Sequence, residues 1–319
     1  MKDEMVKNII CSKDLTEIHR LEKYLRVNHI RVITVQDEDY PEKLKNICDS
    51  PYVLYMKGAD ISLREQFDNK VNVAVIGARN CSEYGRKMAC DISYELAARG
   101  INIISGMAKG IDGCAHTGAI KANGKTTAIL GSGINICYPR ENIDIYDKLQ
   151  ENGLLMSEYP VDAAPESWHF PMRNRIIAGL CDCMIVVEAR EKSGSLITAE
   201  YGLEQGKDIY AVPGRIGDCL SEGCNNLIKE GAGIIVSIEQ FLKELEIKLD
   251  TIPKFQKNKN ITLEKDLELL YSCVDYFPKN IEQLMKESNM SSVHFFKNII
   301  TLQMMNLVDE PSKNMYVKK

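Results

Sequence analysis

Short apolar runs alternate with amphipathic segments through the middle of the chain, beginning at Val71. The runs are rich in β-branched residues and read VNVAVIG, INIISG, TTAILG, LLMSEYP, CMIVVEA and DIYAVPG. Most of the segments between them have helical spacing. Strands that are apolar on both faces and alternate with helices indicate crossover connections and a parallel sheet covered on both sides. The pattern therefore predicts an α/β fold, a doubly wound, Rossmann-like parallel sheet.

The helices of this pattern carry recognisable end signals. In SEYGRKMACDISYELAARG, Ser82 is predicted to cap the N-terminus and Gly100 follows the last turn. Further helices are predicted in IDGCAHTGAIKANG, NIDIYDKLQENG and SLITAEYGLEQG. Each of these follows a predicted strand, so the loop between strand and helix lies at the carboxyl end of that strand.

Two flanking regions depart from the alternation. The N-terminal region holds a helical stretch, DLTEIHRLEKYLRVNHI, and then a predicted strand, short helix and strand. The C-terminal region reads as three helices and a terminal two-stranded wing, the order of a winged-helix domain, with Ser291 capping the third helix. A polar, Lys- and Asn-rich stretch typical of a linker precedes it. We thus predict a helical region with lead-in strands over 1–65, a Rossmann-like domain over 66–248, a linker over 249–262 and a winged-helix-like domain over 263–319.

Composition narrows the class of protein. Of 319 residues, 45% are hydrophobic and 27% are charged, which is ordinary for a soluble protein with a sizeable core. No apolar run approaches the roughly 18 residues that span a bilayer, and the N-terminus has no signal-peptide pattern, so we expect a cytoplasmic protein without a membrane partner. The formal net charge of −5 argues against a protein that coats nucleic acid, but it permits a local basic groove.

Neither the cysteines nor the glycines indicate a cofactor. The 11 cysteines form no CxxC pair and no ligand spacing with histidine. We therefore interpret them as reduced core residues without a disulfide or a structural metal. The first glycine loop, IGARNCSEYG, lacks the GxGxxG spacing of a dinucleotide site, so no NAD binding is predicted.

Ligands of open α/β sheets bind beyond the carboxyl ends of the strands, so the strand-exit loops are candidate sites. The loop after VNVAVIG offers a glycine turn, Arg79 and a serine at a helix start, a combination that suits a phosphate. Alternatively, Arg79 could form a surface ion pair. The second loop, SGMAKGIDGCAH, has Asp112 and His116 four residues apart on one helical face. No nucleophile accompanies them, so we predict a structural Asp–His hydrogen bond.

Three more predicted strand-exit loops also carry glycine or arginine. GSGINICYPREN places Tyr138 and Arg140 at its mouth, WHFPMRNR carries Arg173 and Arg175 at a helix start, and EKSGSLITAE ends in a helix N-terminus whose free amides can hold an anion. Five such loops on one rim predict an extended anion site, longer than one nucleotide needs. The candidate base-stacking residues at its border, which could equally be packing residues, are Tyr138, Trp168 and Phe170.

Several of these blocks, in this order, resemble the DNA-processing protein A (DprA, also called Smf) family: VAVIGARNCSEYG, SGMAKGIDGCAH, LGSGINICYP, FPMRNRIIAGL, VVEAREKSGSLITAEYGLEQGKDIYAVPG and SEGCNNLIKEGA. The resemblance covers roughly residues 35–240. The tail is similar to the winged-helix accessory domain of many members, whereas the N-terminal helical region is shorter than theirs.

The resemblance implies a non-enzymatic protein that binds single-stranded DNA on the Rossmann-like domain, forms a homodimer, and loads the RecA recombinase onto incoming DNA in natural transformation. It places DNA contacts on Arg79 and Arg140, with the other arginines and the SGS loop beside the same groove. The dimer surface is expected near LIKEGAGIIVSIEQFL. The full set of candidate DNA-binding residues is Gly77, Arg79, Ser105, Gly106, Lys109, Gly133, Arg140, Arg173, Asn174, Arg175, Gly194 and Ser195.

Other interpretations remain open from the sequence. One of Arg173 and Arg175 could pair with the protein's own Glu158 or Glu188. A nucleotide phosphoribohydrolase of the LOG type would use Arg175 and Glu200, although EKSGSLITAE lacks the paired glycines and second glutamate of that class. A duplex-DNA regulator would read bases from the third tail helix, whose polar groups are His294, Lys297 and Asn298 and which has no arginine.

Overall fold

The computed structural model describes residues 15–250, 265–274, 279–288, 290–305, 307–312 and 314–318. The chain divides into two compact units, Met1–Phe255 and Gln256–Lys319. The first unit contains a nine-stranded sheet and the second a three-stranded sheet. No helix among the described residues is long and apolar enough to cross a membrane.

The large sheet has the strand order β1-β2-β6-β5-β4-β3-β7-β8-β9. Its strands are β1 (Arg31–Thr34), β2 (Val53–Gly58), β3 (Asn72–Ile76), β4 (Asn102–Ser105), β5 (Thr126–Ile129), β6 (Leu154–Ser157), β7 (Cys183–Val186), β8 (Asp208–Ala211) and β9 (Gly233–Ile234). All neighbours from β6 to β9 pair in parallel, whereas β1 and β2 add an antiparallel edge. The predicted doubly wound α/β sheet is confirmed, and the two-residue β9 is an addition that was too short to predict.

Helices cover both faces of this sheet. They are α1 (Leu15–Val27), α2 (Glu42–Lys45), α3 (Leu63–Phe67), α4 (Glu83–Ala98), α5 (Ile111–Lys121), α6 (Ile143–Asn152), α7 (His169–Leu180), α8 (Gly194–Glu204), α9 (Glu222–Lys229) and α10 (Ile238–Asp250). Ser82 caps α4 as predicted, because its side chain accepts a hydrogen bond from the Gly85 amide at 3.0 Å. Gly100 follows α4 with φ of +81°, a backbone conformation that glycine adopts without strain.

The central strand β3 shows why the apolar runs form a doubly covered sheet. Val73 and Val75 belong to one buried cluster, and Ala74 and Ile76 belong to the cluster on the opposite face. All of them are at most 3% exposed. Successive side chains of a strand point to opposite faces, so only a strand covered on both sides buries an uninterrupted apolar run.

The lead-in strands belong to the same sheet as the Rossmann-like core. β2 pairs with β6 in antiparallel register, with Tyr55 opposite Ser157 and Met56 opposite Met156. Leu54 and Met56 are buried in the main cluster. The boundary expected near residue 65 therefore does not separate two compact units, because strands on either side of it share backbone hydrogen bonds and one core.

The described residues of the second unit form three helices and a hairpin in the predicted order. Its elements are α11 (Lys265–Cys273), β10 (Lys279–Asn280), α12 (Ile281–Ser288), α13 (Ser292–Met304), β11 (Val308–Ser312) and β12 (Met315–Lys318). Its core is built around Leu270, Phe295 and Ile299, each fully buried. The winged-helix assignment stays a prediction. Of the predicted linker, residues 251–262 lie outside the described residues, while α10 extends through Asp250.

The cysteines divide by environment. Cys181, Cys183 and Cys224 are buried, whereas Cys48 and Cys219 are exposed. The interpretation of all cysteines as core residues is therefore wrong for the last two, which lie on irregular segments rather than in the apolar strands. Every cysteine within the described residues is a free thiol.

Candidate functional site

A cleft of about 440 Å³ opens at the carboxyl ends of β3 and β7. These strands are neighbours, and the chain winds away from them in opposite directions, which makes this the switch point where open α/β sheets bind ligands. The lining comes from the loop after β3, the loop after β4, the start of α7 and the loop after β7. Four of the five predicted loops therefore meet in one place.

The remaining predicted loop, which follows β5, reaches the cleft through an aromatic contact. The ring of Tyr138 lies 5.5 Å from the ring of Phe170, which lines the cleft. Tyr138 is 49% exposed. Arg140, at the start of the 3₁₀ turn Arg140–Asn142, is exposed and pairs with no carboxylate of the described residues. This loop can thus lengthen the site along the sheet edge.

Arg79 projects from the loop after β3. The Ile111 amide donates to the Ala78 carbonyl at 3.2 Å, which fastens this loop to the start of α5. Gly110 permits that approach, since a Cβ there would lie 2.4 Å from the carbonyl oxygens of Ala78 and Arg79, and its φ is +81°. The Arg79 side chain is exposed, and its guanidinium carbon lies 5.4 Å from the centroid of the Phe170 ring.

Exposed cations give the cleft a positive electrostatic potential. Arg79, Arg190 and Lys192 all line it and are exposed, and within the described part of the chain none of them pairs with a carboxylate. The sequence analysis missed Arg190 and Lys192, although their position in a strand-exit loop was a usable signal. Cations that face one cleft and pair with no carboxylate of the described residues attract an anion.

The N-terminus of α8 adds backbone donors to the same cleft. Ser193 caps the helix, and its hydroxyl accepts a hydrogen bond from the Ser195 amide at 3.4 Å. Gly194 is exposed, and no atom lies within 4 Å of the position that a Cβ would take. A helix N-terminus favours negative charge nearby. The predicted residues Gly194 and Ser195 line the cleft at this helix N-terminus.

Arg173 lines the cleft from its interior side. It is 4% exposed, and its guanidinium donates hydrogen bonds to the carbonyl oxygens of Gly106 and Ile129. Asp112 completes this cluster by accepting from the amides of Gly106 at 3.1 Å and Ala108 at 3.3 Å. Burial lowers the pKa of Arg173 to about 10, so the side chain remains a cation at neutral pH. Burial raises the pKa of Asp112, and the Arg173 cation opposes that rise.

Arg175 is also held inside the protein. Its side chain is 7% exposed, and Nη2 lies 2.7 Å from Oε1 of Glu158. The alternative that pairs an arginine with Glu158 is confirmed for Arg175, whereas Glu188 instead accepts from the Ser82 amide and hydroxyl. Arg173 and Arg175 were predicted at the start of a helix; α7 begins at His169, and both arginines lie within it and are buried. That at least one of them contacts DNA stays a prediction.

The predicted hydrogen bond between Asp112 and His116 is wrong. Nδ1 of His116 lies 2.7 Å from the Thr126 hydroxyl on β5, while Asp112, in the first turn of α5, bonds to amides of the preceding loop. Burial lowers the pKa of His116 to about 3, with a further lowering by the Arg173 cation. This histidine is therefore neutral at physiological pH.

The remaining predicted site residues divide between the cleft and its scaffold. Asn174 and Gly77 line the cleft. Lys109 pairs with Glu141 at 2.9 Å, which offsets its charge. Ser105 is buried and donates to the Val75 carbonyl at 2.6 Å, and a Cβ at Gly133 would lie 2.4 Å from the Pro160 carbonyl oxygen. Ser105 and Gly133 thus support loop packing.

The three candidate stacking residues have different environments. Trp168 is 59% exposed, meets the edge of the Tyr159 ring at 6.1 Å, and is not among the cleft residues. Phe170 is half-buried within the cleft beside Arg79. Tyr138 is exposed at the border next to Phe170. Of the three, Tyr138 combines an exposed ring with a position at the cleft.

The matching family model is that of DNA recombination-mediator protein A, and it matches residues 31–246. The DNA processing protein DprA of Bacillus subtilis is 42% identical over 220 residues, which are 69% of this chain and 73% of that protein. The protein Smf of Escherichia coli is 40% identical over 232 residues, 72% of this chain and 60% of that protein.

Solved structures show the same similarity. The X-ray structure of DNA processing protein A from Streptococcus pneumoniae has a TM-score of 0.63 and 39% identity, covering 70% of this chain and 77% of that one. A structure of the Helicobacter pylori protein, described for its single-stranded DNA binding mode, has a TM-score of 0.62 and 29% identity, covering 69% of this chain and 98% of that one.

Proposed function

This chain belongs to the DNA recombination-mediator protein A family, and on that premise we propose that it binds single-stranded DNA along its strand-exit cleft. The observation that carries the proposal is a set of three exposed cations on one cleft beside a helix N-terminus, none of which pairs with a carboxylate of the described residues: Arg79, Arg190 and Lys192. The H. pylori relative, which is described by its binding of single-stranded DNA, supports this ligand.

The chemistry of the cleft favours contact with the DNA backbone over reading of base edges. Its exposed charged groups are suited to phosphate oxygens, and the flanking Tyr138 offers a ring face that any base can stack on. Arg140 on the neighbouring loop extends the cationic surface beyond one nucleotide. We propose a strand that follows this rim with little sequence preference.

The cellular role follows from the family. We propose that the protein acts in the cytoplasm, protects incoming single strands and loads the RecA recombinase onto them in natural transformation or recombination. The family's designation as a recombination mediator supports this role. Such a role needs binding and release of DNA and no bond cleavage, so we propose a non-enzymatic protein without a cofactor.

A titration with single-stranded and duplex oligonucleotides of equal length at two salt concentrations tests the proposal. We expect clearly tighter binding of the single strand, similar affinities for different sequences, and weaker binding at the higher salt because released counter-ions contribute to the affinity. Equal affinity for duplex at the same salt would contradict a site built on stacking and backbone contact.

The hydrolase alternative has little support from the geometry. Its candidate catalytic residues, Arg175 and Glu200, are both absent from the lining of the cleft. Arg175 is buried against Glu158, and Glu200 is exposed on α8. Incubating the protein with nucleoside monophosphates and measuring released base separates the two functions, and robust turnover would exclude a purely binding role.

The duplex-regulator alternative depends on α13 of the second unit. Its exposed side carries the apolar residues Phe296 (45% exposed), Ile300 (52%) and Met304 (84%). His294 and Lys297 are exposed beside them, and Asn298 is half-buried. A helix that reads the major groove needs polar groups reaching base edges, so this apolar surface favours contact with protein over sequence readout.

We also propose a two-fold homodimer that uses the end of the sheet at β9. Ile234 and Val236 are 47% and 69% exposed there, and β9 is an edge strand of the sheet, the kind of strand to which a second chain can add. Light scattering at micromolar concentration should give twice the chain mass, and aspartate at both positions should give the monomer. Ile216→Asp, at a fully exposed residue on another loop, is the matched control that should remain dimeric. A parent protein of strictly monomeric mass would contradict the proposal.

A further inference from the structure

Two guanidinium groups, one exposed and one buried, lie close to the ring of Phe170. Its ring centroid is 5.4 Å from the guanidinium carbon of the exposed Arg79 and 5.8 Å from that of the buried Arg173. The ring is packed against Gly131, where a Cβ would lie 2.8 Å from the ring carbon Cδ1. Tyr138 flanks it at 5.5 Å. Phe170 is thus fixed by its surroundings, whereas Arg79 is a surface side chain.

Arg79 has no carboxylate partner within the described residues, so the Phe170 ring is the contact that the structure gives its guanidinium. An aromatic face attracts a cation through its quadrupole and leaves the positive charge intact. A carboxylate in the same place would hold the side chain but would also neutralise it. The cation–π contact therefore orders Arg79 while keeping its charge available to a phosphate.

We propose that Phe170 is a positioning residue for DNA binding, acting through Arg79 and not as a stacking platform for a base. Arg173 anchors the arrangement, since its hydrogen bonds to the carbonyl oxygens of Gly106 and Ile129 fix the cation beside the same ring. The inference rests on the proposed single-stranded DNA site. A pre-ordered arginine loses less conformational freedom when DNA binds, which is the source of the expected gain in affinity.

A double-mutant cycle with a fluorescent oligothymidylate tests this inference. Phe170→Leu should weaken binding about two- to fivefold in the parent, the range of an exposed cation–π contact, and should change nothing in an Arg79→Ala background. Phe170→Tyr, which keeps the aromatic face, should bind as the parent does. Phe170→Met is a second non-aromatic variant, and thermal melting shows that each protein is folded.

Each other outcome has a definite meaning. If Phe170→Leu weakens binding equally with and without Arg79, the ring stacks on a base directly and the inference is overturned. If the folded Leu and Met variants both bind like the parent, Phe170 does not position Arg79. If Arg79→Ala alone leaves the affinity unchanged, the proposed DNA site itself is wrong, and the inference fails with it.

Discussion

Replacing Arg79 or Arg140 with alanine is expected to weaken binding of single-stranded DNA by about ten- to a hundredfold for each substitution, because a charge-assisted hydrogen bond contributes roughly 1.5–3 kcal/mol. The melting temperature should stay near that of the parent. Both side chains are exposed and pair with no carboxylate of the described residues, so their removal opens no cavity and leaves no buried charge. Fluorescence anisotropy and thermal melting measure the two properties on the same samples.

A variant that carries both Arg79→Ala and Arg140→Ala allows a second test, the dependence of DNA affinity on salt concentration. Affinity falls as salt rises, and each arginine that binds a phosphate of a single strand makes this fall steeper. Removing one such arginine should therefore make the slope of log affinity against log salt less negative by about 0.7. Arg99→Ala is the matched control, since Arg99 is a surface arginine at the C-terminal end of α4 and pairs with Glu95 at 2.6 Å. A stable double variant that binds as tightly as the parent at moderate salt would exclude the rim and make the second unit the leading candidate.

The sheet and the position of the cleft could be predicted from sequence because both depend on local patterns. Runs that are apolar at every position, such as residues 73–76 of β3, must be covered on both faces, and the loop after each parallel strand lies at one edge. The exposed Arg79 and the helix N-terminus at Gly194 were found in this way. Their roles depend on position along the chain, which the sequence displays directly.

The environment of Arg173 and Arg175 could not be predicted, because it is formed by residues that are distant in the chain. Arg173 binds the carbonyl oxygens of Gly106 and Ile129, which are 67 and 44 residues away. No periodicity indicates that these groups converge below α7. Charged residues are mostly exposed in folded proteins, so an outward orientation was the natural expectation. The pairing of β2 with β6 was hidden for the same reason, since antiparallel partners about a hundred residues apart leave no local pattern.

Because Arg173 is buried, its replacement should destabilise the fold, whereas replacement of the exposed Arg79 should not. Arg173→Leu should lower the free energy of unfolding by about 3–5 kcal/mol, because two hydrogen bonds from a charged donor to buried carbonyl oxygens are lost and each contributes roughly 1.5–3 kcal/mol. The carbonyl oxygens of Gly106 and Ile129 are left without this donor, and Asp112, which is 6% exposed, loses the nearby cation that favours its charged form. Chemical denaturation measures this destabilisation. Arg190→Leu, at an exposed arginine of the same cleft, should stay within about 0.5 kcal/mol of the parent.

The pH dependence of the stability of the Arg173→Leu variant shows whether Asp112 contributes to the destabilisation. Burial raises the pKa of Asp112 in the folded protein, and the Arg173 cation opposes this rise. In the variant the cation is absent, so the pKa of Asp112 should rise further. A carboxyl group with a raised folded-state pKa binds its proton more tightly in the folded than in the unfolded chain, so stability falls as the pH rises above the unfolded value near 3.8. The variant should therefore lose more stability at neutral than at mildly acidic pH, and a second substitution, Asp112→Asn, should restore part of it. A variant as stable as the parent but weak in binding DNA would instead make Arg173 a direct DNA contact.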